Sequence, residues 1–158
     1  MRMETSAVGA VCRAAVWGLL GLSAACGAPR TEFLSSPATA DLGLPFSEAV
    51  RVGDTLYVSG QIGNLPGTLE LAPGGLEGQT RQALANMAAV LERHGSSLEQ
   101  VVKCTLFLEH MADWPAVNAI YVESFPGPKP ARSALGADGL ALGALLEIEC
   151  IAVVSRSP

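Results

Sequence analysis

Apolar and polar positions change rhythm several times along the chain. Between Leu56 and Ile62 (LYVSGQI) they alternate, just after a Gly53-Asp54 turn, and this predicts a half-buried strand. Residues 63–75 hold four Gly and two Pro and read as a loop. The period then lengthens: Leu84, Met87 and Leu91 recur at i, i+3 and i+7 with Ala83 and Val90 beside them, predicting a helix over 76–94 that Gly95 stops. Val101 to Leu108 (VVKCTLFL) is a strand. Asp113 is placed as the N-cap of a second helix, with Pro115 in its first turn and its end at Phe125. The stretch PGPKP at 126–130 breaks it, a short strand follows at 131–136, and residues 145–154 (LLEIECIAVV) form the last strand.

The alternation also assigns faces. Leu56, Val58, Gly60 and Ile62 fall on one side, matched by Val102, Cys104, Leu106 and Leu108 and by Ile148, Cys150, Ala152 and Val154. Two helices would cover that face. The other collects Tyr57, Ser59, Gln61, Lys103, Thr105, Glu147 and Glu149, yet also Phe107, Ile151 and Val153. Such a mixture predicts a subunit interface with a site in it, and a core of about 110 residues gains from self-association. The expected class is a single α+β domain, a mixed sheet with two helices on one face.

Composition changes the picture at the N-terminus. The 158 residues are 49% hydrophobic and 16% charged, which excludes disorder. A net charge of −5 offers no basic face for nucleic acid. Residues 1–25 carry Arg2, Arg13 and Glu4, and the remainder holds 8 basic and 14 acidic side chains, a net of −6. Ala14 to Ala25 runs without a charge, too short to span a bilayer and of signal-peptide length. It ends in LSAACG at 22–27, which resembles a lipobox with Cys26 as the lipidated residue. Residues 1–25 are therefore expected to direct export, and 26–43, rich in Ala, Pro, Ser and Thr, to form a flexible tether. The domain would occupy 44–155. The protein would sit in the bacterial cell envelope, on the periplasmic side of the outer membrane, touching lipid only through Cys26. A plain secretory signal, or a misplaced start codon and a cytoplasmic protein, are the alternatives. Cys12 leaves with the signal, so Cys104 and Cys150 remain, read as two buried thiols rather than a disulfide.

Candidate chemistry is sparse. His94 and His110 are the two histidines, and no nucleophile elbow, metal-ligand spacing or phosphate-cradling loop is present. His94 reads as a helix-terminal structural residue and His110 as a surface one. Arg132 follows Pro130-Ala131 in a rigid passage, where a guanidinium can clamp a carboxylate or pair with Glu147 or Glu149.

The ordered strings LPFSEAV at 44–50, LYVSGQI at 56–62, VVK at 101–103, VNAIY at 117–121, PARS at 130–133 and EIE at 147–149, with Gln82 and Asn86 on the helix between, resemble the reactive-intermediate deaminase (RidA, enamine/imine deaminase) family over about 110 residues. The resemblance implies a chorismate-mutase-like fold, a homotrimer with a cleft at each subunit interface, and hydrolysis of 2-imino acids such as 2-iminobutanoate or 2-iminopropanoate to 2-oxo acids and ammonia without metal or cofactor. On this chain it implies that Arg132 binds the substrate carboxylate, that Glu147 handles water and proton, and that Ser59, Asn118 and Phe46 line the cleft. Glu149 shares a face with Glu147, so the division of roles between them rests on the resemblance. Two positions depart from the family pattern: Phe46 stands where Tyr is usual and Ala134 where Cys is frequent. Loss of the Tyr hydroxyl removes a hydrogen bond of about 1 kcal/mol. The alternatives to an imine deaminase are a non-catalytic module binding small carboxylates, and an interaction role for which no residue speaks.

Overall fold

The computed structural model describes residues 29–154; the export segment and Cys26 lie outside the described residues. The chain runs β1 (Thr31–Leu34), α1 (Pro37–Asp41), β2 (Ala49–Val52), β3 (Thr55–Ile62), α2 (Gly75–Arg93), β4 (Val101–Leu108), α3 (Trp114–Ser124), β5 (Ala131–Gly136) and β6 (Leu146–Val153). The strands form one mixed sheet in the order β1-β2-β3-β6-β4-β5. All neighbours are antiparallel except β4 and β5, which are joined through α3. The last strand in sequence is thus inserted between β3 and β4, at the centre of the sheet.

Both long helices lie on one face, as the periodicity requires. Ala83, Leu84, Met87, Val90 and Leu91 of α2 and Val117, Ile120 and Tyr121 of α3 pack on Leu56, Val58, Leu106 and Ile148. Gly95 ends α2 with φ +81°: its N–H donates to Glu92 O and that of Ser96 to Leu91 O, the paired bonds of a Schellman stop. Asp113 does not cap α3 as expected. A 3-10 turn over Met111–Asp113 leads directly into the helix, and the Asp113 side chain makes no capping bond.

Two β-bulges shift the expected faces. Between β3 and β6 the register passes from Val58↔Cys150 to Gln61↔Ile148, so Ser59 and Gly60 together oppose Glu149. Parity inverts there, and Ile62 pairs with Glu147 on the open face instead of facing the helices. A second irregularity between Val101 and Lys103 makes Val101 the buried residue and leaves Val102 exposed. An extra residue reverses inside and outside, and strict alternation cannot show it.

Cys104 and Cys150 are a disulfide, not two thiols. They stand directly opposite one another on β4 and β6, with Cα atoms 4.1 Å apart. Their apolar surroundings pointed to burial, which is correct, but their register emerges only when β6 inserts beside β4. The bond spans 46 residues of sequence, and closing a loop of that length in the unfolded chain corresponds to about 4 kcal/mol in the chain-entropy account.

The segment expected as a tether is structured from Thr31 onward. β1 pairs with β2, and Ser36 caps α1 by accepting from the Thr39 N–H. Both are held by Glu48, a buried carboxylate. It accepts from the Ser36 N–H at 3.1 Å and hydroxyl at 3.1 Å, from the Thr39 hydroxyl at 2.8 Å, and from Arg93 at the end of α2. His94 Nε2 lies 3.1 Å from its other oxygen. An ionised carboxylate can only accept, so Nε2 carries the proton. His94 is therefore structural, as its position predicted. Burial pushes the Glu48 pKa up, but bonds from Thr39, His94 and Arg93, with the charge of Arg93, outweigh it and hold the pKa below the ordinary glutamate value.

A group with a depressed folded pKa stabilises fully above its unfolded pKa and ceases to do so as pH falls through the folded value. Glu48→Gln should therefore lower unfolding free energy by about 2 kcal/mol at pH 7, with the gap to wild type closing toward pH 3. Urea titrations of both proteins at the two pH values check this; a gap independent of pH assigns the loss to packing.

Candidate active site

Beyond Val58, β3 loses its partner β2, because the preceding chain turns away at Ser47. The Ser59 N–H donates to Glu48 O and its hydroxyl to Ser47 O at 2.7 Å. Ser59, expected to position substrate, instead fastens the strap that carries Phe46. A cleft of ≈450 Å³ opens at this point, bounded by the strap, the bulge, α2 and the turn at Leu142. Phe46 lines it with 53% of its surface exposed.

Glu147 projects into this cleft from β6. The bulge makes room for it: a Cβ built on Gly60 would lie 1.6 Å from Glu147 Oε1, so the carboxyl occupies the space a side chain would fill. The sequence reading placed Gly60 among core-facing residues; a glycine inside a strand pattern was the signal for a bulge and a close approach. Among the described residues Glu147 has no hydrogen-bond or ion-pair partner. Burial raises its pKa above the ordinary value, and the neighbouring charge of Glu149 raises it further. A half-buried, unpartnered carboxyl whose charged form is disfavoured is suited both to accept and to return a proton.

Arg132 lies elsewhere. Its partner across β4 and β5 is Cys104, whereas that of Glu147 across β4 and β6 is Phe107. Cys104 and Phe107 are three residues apart on a regular strand, so Arg132 and Glu147 belong to opposite faces of the sheet. Arg132 pairs with neither Glu147 nor Glu149. Its Nη2 donates to Asn118 Oδ1 at 2.8 Å, and its guanidinium lies over the Tyr121 ring at 4.6 Å and the Trp114 ring at 5.9 Å. Trp114, Asn118 and Tyr121 follow one another at i, i+4 and i+7 along one face of α3. That spacing was visible in the sequence, although Trp114 and Tyr121 were not singled out. The Tyr121 hydroxyl is buried without a partner among the described residues. Burial raises its pKa, opposed by the charge of Arg132.

The two groups thus stand apart on one chain: a guanidinium with Asn118 at the β5 edge, and a carboxyl with Phe46 in the cleft. The model for Endoribonuclease L-PSP matches residues 37–154, three quarters of the chain. The chain belongs to the Endoribonuclease L-PSP family. The match begins at Pro37, within the expected tether and at the start of α1, while β1 lies before it. Relatives in this family include a 2-iminobutanoate/2-iminopropanoate deaminase of Dermatophagoides farinae, 43% identical over 110 residues that cover 70% of this chain and 86% of that protein. Reactive Intermediate Deaminase A of Arabidopsis thaliana chloroplasts is 39% identical over 134 residues, covering 84% and 71%. The crystal structure of RidA from an Antarctic Psychrobacter superposes with a TM-score of 0.68 at 34% identity, over 80% of this chain and 98% of that one. The Endoribonuclease L-PSP fold thus agrees with the family resemblance read from the motifs.

Gly60→Ala tests the geometry of the cleft. The added methyl displaces the Glu147 carboxyl while β3 and β6 stay paired, so the apparent pKa of Glu147, followed by carboxyl NMR, should move toward the ordinary glutamate value. An unmoved titration contradicts the close approach.

Proposed function

We propose that the protein is an imine deaminase: it hydrolyses 2-imino acids to 2-oxo acids and ammonia, at sites completed between copies of the chain in a homotrimer. The observation that carries the reading is Glu147, an unpartnered carboxyl of raised pKa held in a cleft over a glycine. Relatives at about 40% identity that are named 2-iminobutanoate/2-iminopropanoate deaminases support it. The exposed apolar residues of the open sheet face, Tyr57, Leu135 and Val153, support self-association.

In the reaction Arg132 of one copy binds the substrate carboxylate, with Asn118 fixing the guanidinium so that its remaining N–H groups face outward. Glu147 of another copy takes a proton from water as the oxygen attacks the imine carbon. The same carboxyl returns that proton to nitrogen, the C–N bond breaks and ammonia leaves. As the C–N bond breaks and the carbonyl forms, Glu147 takes the hydroxyl proton and passes it to the departing ammonia, so that overall R–C(=NH2+)–COO− and H2O give R–CO–COO− and NH4+, with atoms and charge balanced. Phe46 contributes an apolar wall where a Tyr would contribute a hydroxyl. The family description names a ribonuclease; a cleft centred on a carboxyl, in a chain of net charge −5, disfavours a polyanionic substrate.

The reading fixes a set of outcomes. Arg132→Ala and Glu147→Gln should each lower ammonia release from freshly generated 2-iminobutanoate by at least 10²-fold. Trimers assembled from equal amounts of the two variants should recover about a quarter of the wild-type sites, because random mixing joins intact halves at that frequency. The wild-type rate should fall on acidification with a midpoint above the ordinary glutamate value, since the base must be ionised. Absence of recovery in mixed trimers rejects a shared site, and binding of 2-oxobutanoate without turnover replaces catalysis by simple carboxylate binding.

We also propose that the chain is exported and lipidated at Cys26, within the cell envelope. The Cys104–Cys150 bond supports this, because disulfides persist in oxidising compartments. Palmitate should label the wild type and not Cys26→Ser; an unlabelled protein with reduced cysteines rejects it.

A further inference from the structure

Resting on the deaminase reading, we infer that this site selects 2-imino acids with large, neutral, apolar side chains, such as those derived from leucine or phenylalanine, over 2-iminobutanoate. The first ground is size. In the single chain a cleft of ≈450 Å³, open where a second copy would seat, lies in the range that holds drug-sized ligands, about 300–1,000 Å³, and 2-iminobutanoate, with seven non-hydrogen atoms, fills only part of it.

The second ground is orientation. Arg132 is on the opposite face of the sheet and does not line the cleft. The carboxylate is therefore held from outside by another copy, and with the imine carbon at Glu147 the side chain has the interior of the cleft to enter.

The third ground is the chemistry of the wall. Leu42, Leu44, Phe46, Leu69, Ala89 and Leu142 contribute its apolar surface. Its polar side chains are already engaged. Thr39 and Arg93 are bound to Glu48. The Gln61 amide donates to Ser59 O and Gly60 O, that of Asn64 to Thr68 O, and that of Asn86 to Ile62 O and Asn64 O. The amide donors are taken up within the protein, Arg93 keeps spare N–H groups beside its bond to Glu48, and an acidic side chain would meet Glu147 and Glu48.

Leu142 carries the argument furthest. Among the described residues it is the one non-glycine with positive φ, at 58°, a conformation that costs a leucine on the order of 1 kcal/mol or more. It is also 53% exposed at the cleft wall. Its flanking turn holds Gly143 with φ +72°, so the local backbone tolerates glycine while presenting a leucine. An apolar side chain held outward at such a position finds cover when another apolar group enters the cleft.

The test compares imines generated in situ from 2-aminobutyrate, leucine and glutamate by an amino-acid oxidase with catalase. Alongside, calorimetry measures binding of 2-oxobutanoate and 4-methyl-2-oxopentanoate to the wild-type trimer. The leucine-derived imine should show at least about tenfold higher kcat/KM than 2-iminobutanoate, the glutamate-derived imine the lowest, and the larger oxo acid about tenfold tighter binding. Leu142→Gly relieves the positive φ and should fold at least as stably while narrowing both ratios; Ala89→Phe, which fills the cleft, should reverse them. Equal or inverted ratios in the wild type overturn the selectivity and leave deamination standing. Turnover absent on all three imines, with tighter binding of the larger oxo acid retained, rejects the deaminase reading and upholds the preference of the cleft.

Discussion

The buried carboxylate of Glu48 ties three parts of the chain to one another: residues 36–39, the end of α2 and the strap before β2. Without it, residues 36–39 have no polar anchor, the end of α2 loses the partner of Arg93 and His94, and the strap bearing Leu44 and Phe46 has one fastening fewer. A carboxylate buried without partners would be strongly destabilising; surrounded by donors from two segments, Ser36 with Thr39 and Arg93 with His94, it is satisfied only when both are in place. That requirement gives the cleft its outer wall. The shape of the cleft therefore depends on a residue at its rim.

The sheet imposes the other constraint. One face is covered by two helices, and a side chain on a strand must emerge on that face or on the other. Arg132 and Glu147 fall on different faces, so no rotamer of either brings them together within one chain. The two-residue bulge in β3 deepens the separation: it inverts parity after Val58 and sets a glycine beneath Glu147. Under the proposed reading, that separation is why the site has to be completed by a second copy.

Much of this was legible in the sequence, for physical reasons. The long period of Leu84, Met87 and Leu91 and the alternation within VVKCTLFL are direct consequences of burying one face, and both elements lie where that pattern puts them. Arg132 is legible as a charge in a rigid passage, whereas Glu147 is set apart from Glu149 only by the family resemblance. Contacts between segments remote in sequence were not legible. Glu48 lies within LPFSEAV, but nothing in that string points to its partners, which lie 9 to 46 residues away. Cys104 and Cys150 look like ordinary core residues until β6 enters between β3 and β4. β1 was overlooked because four residues of edge strand bury too little to impose a period. Ser59 carries a residue type suited to a cleft, but its hydroxyl had a nearer carbonyl in Ser47.

The Cys104–Cys150 bond closes a covalent ring, and the contents of that ring are notable. Trp114, Asn118, Tyr121, Arg132 and Glu147 all lie between the two cysteines. So does the exposed PGPKP connection, the part of the ring most accessible to a protease. A single cut there opens the polypeptide without releasing anything, because the two fragments stay tied through the middle of the sheet. The two fragments would remain one molecule of nearly unchanged mass, separable only by a reductant.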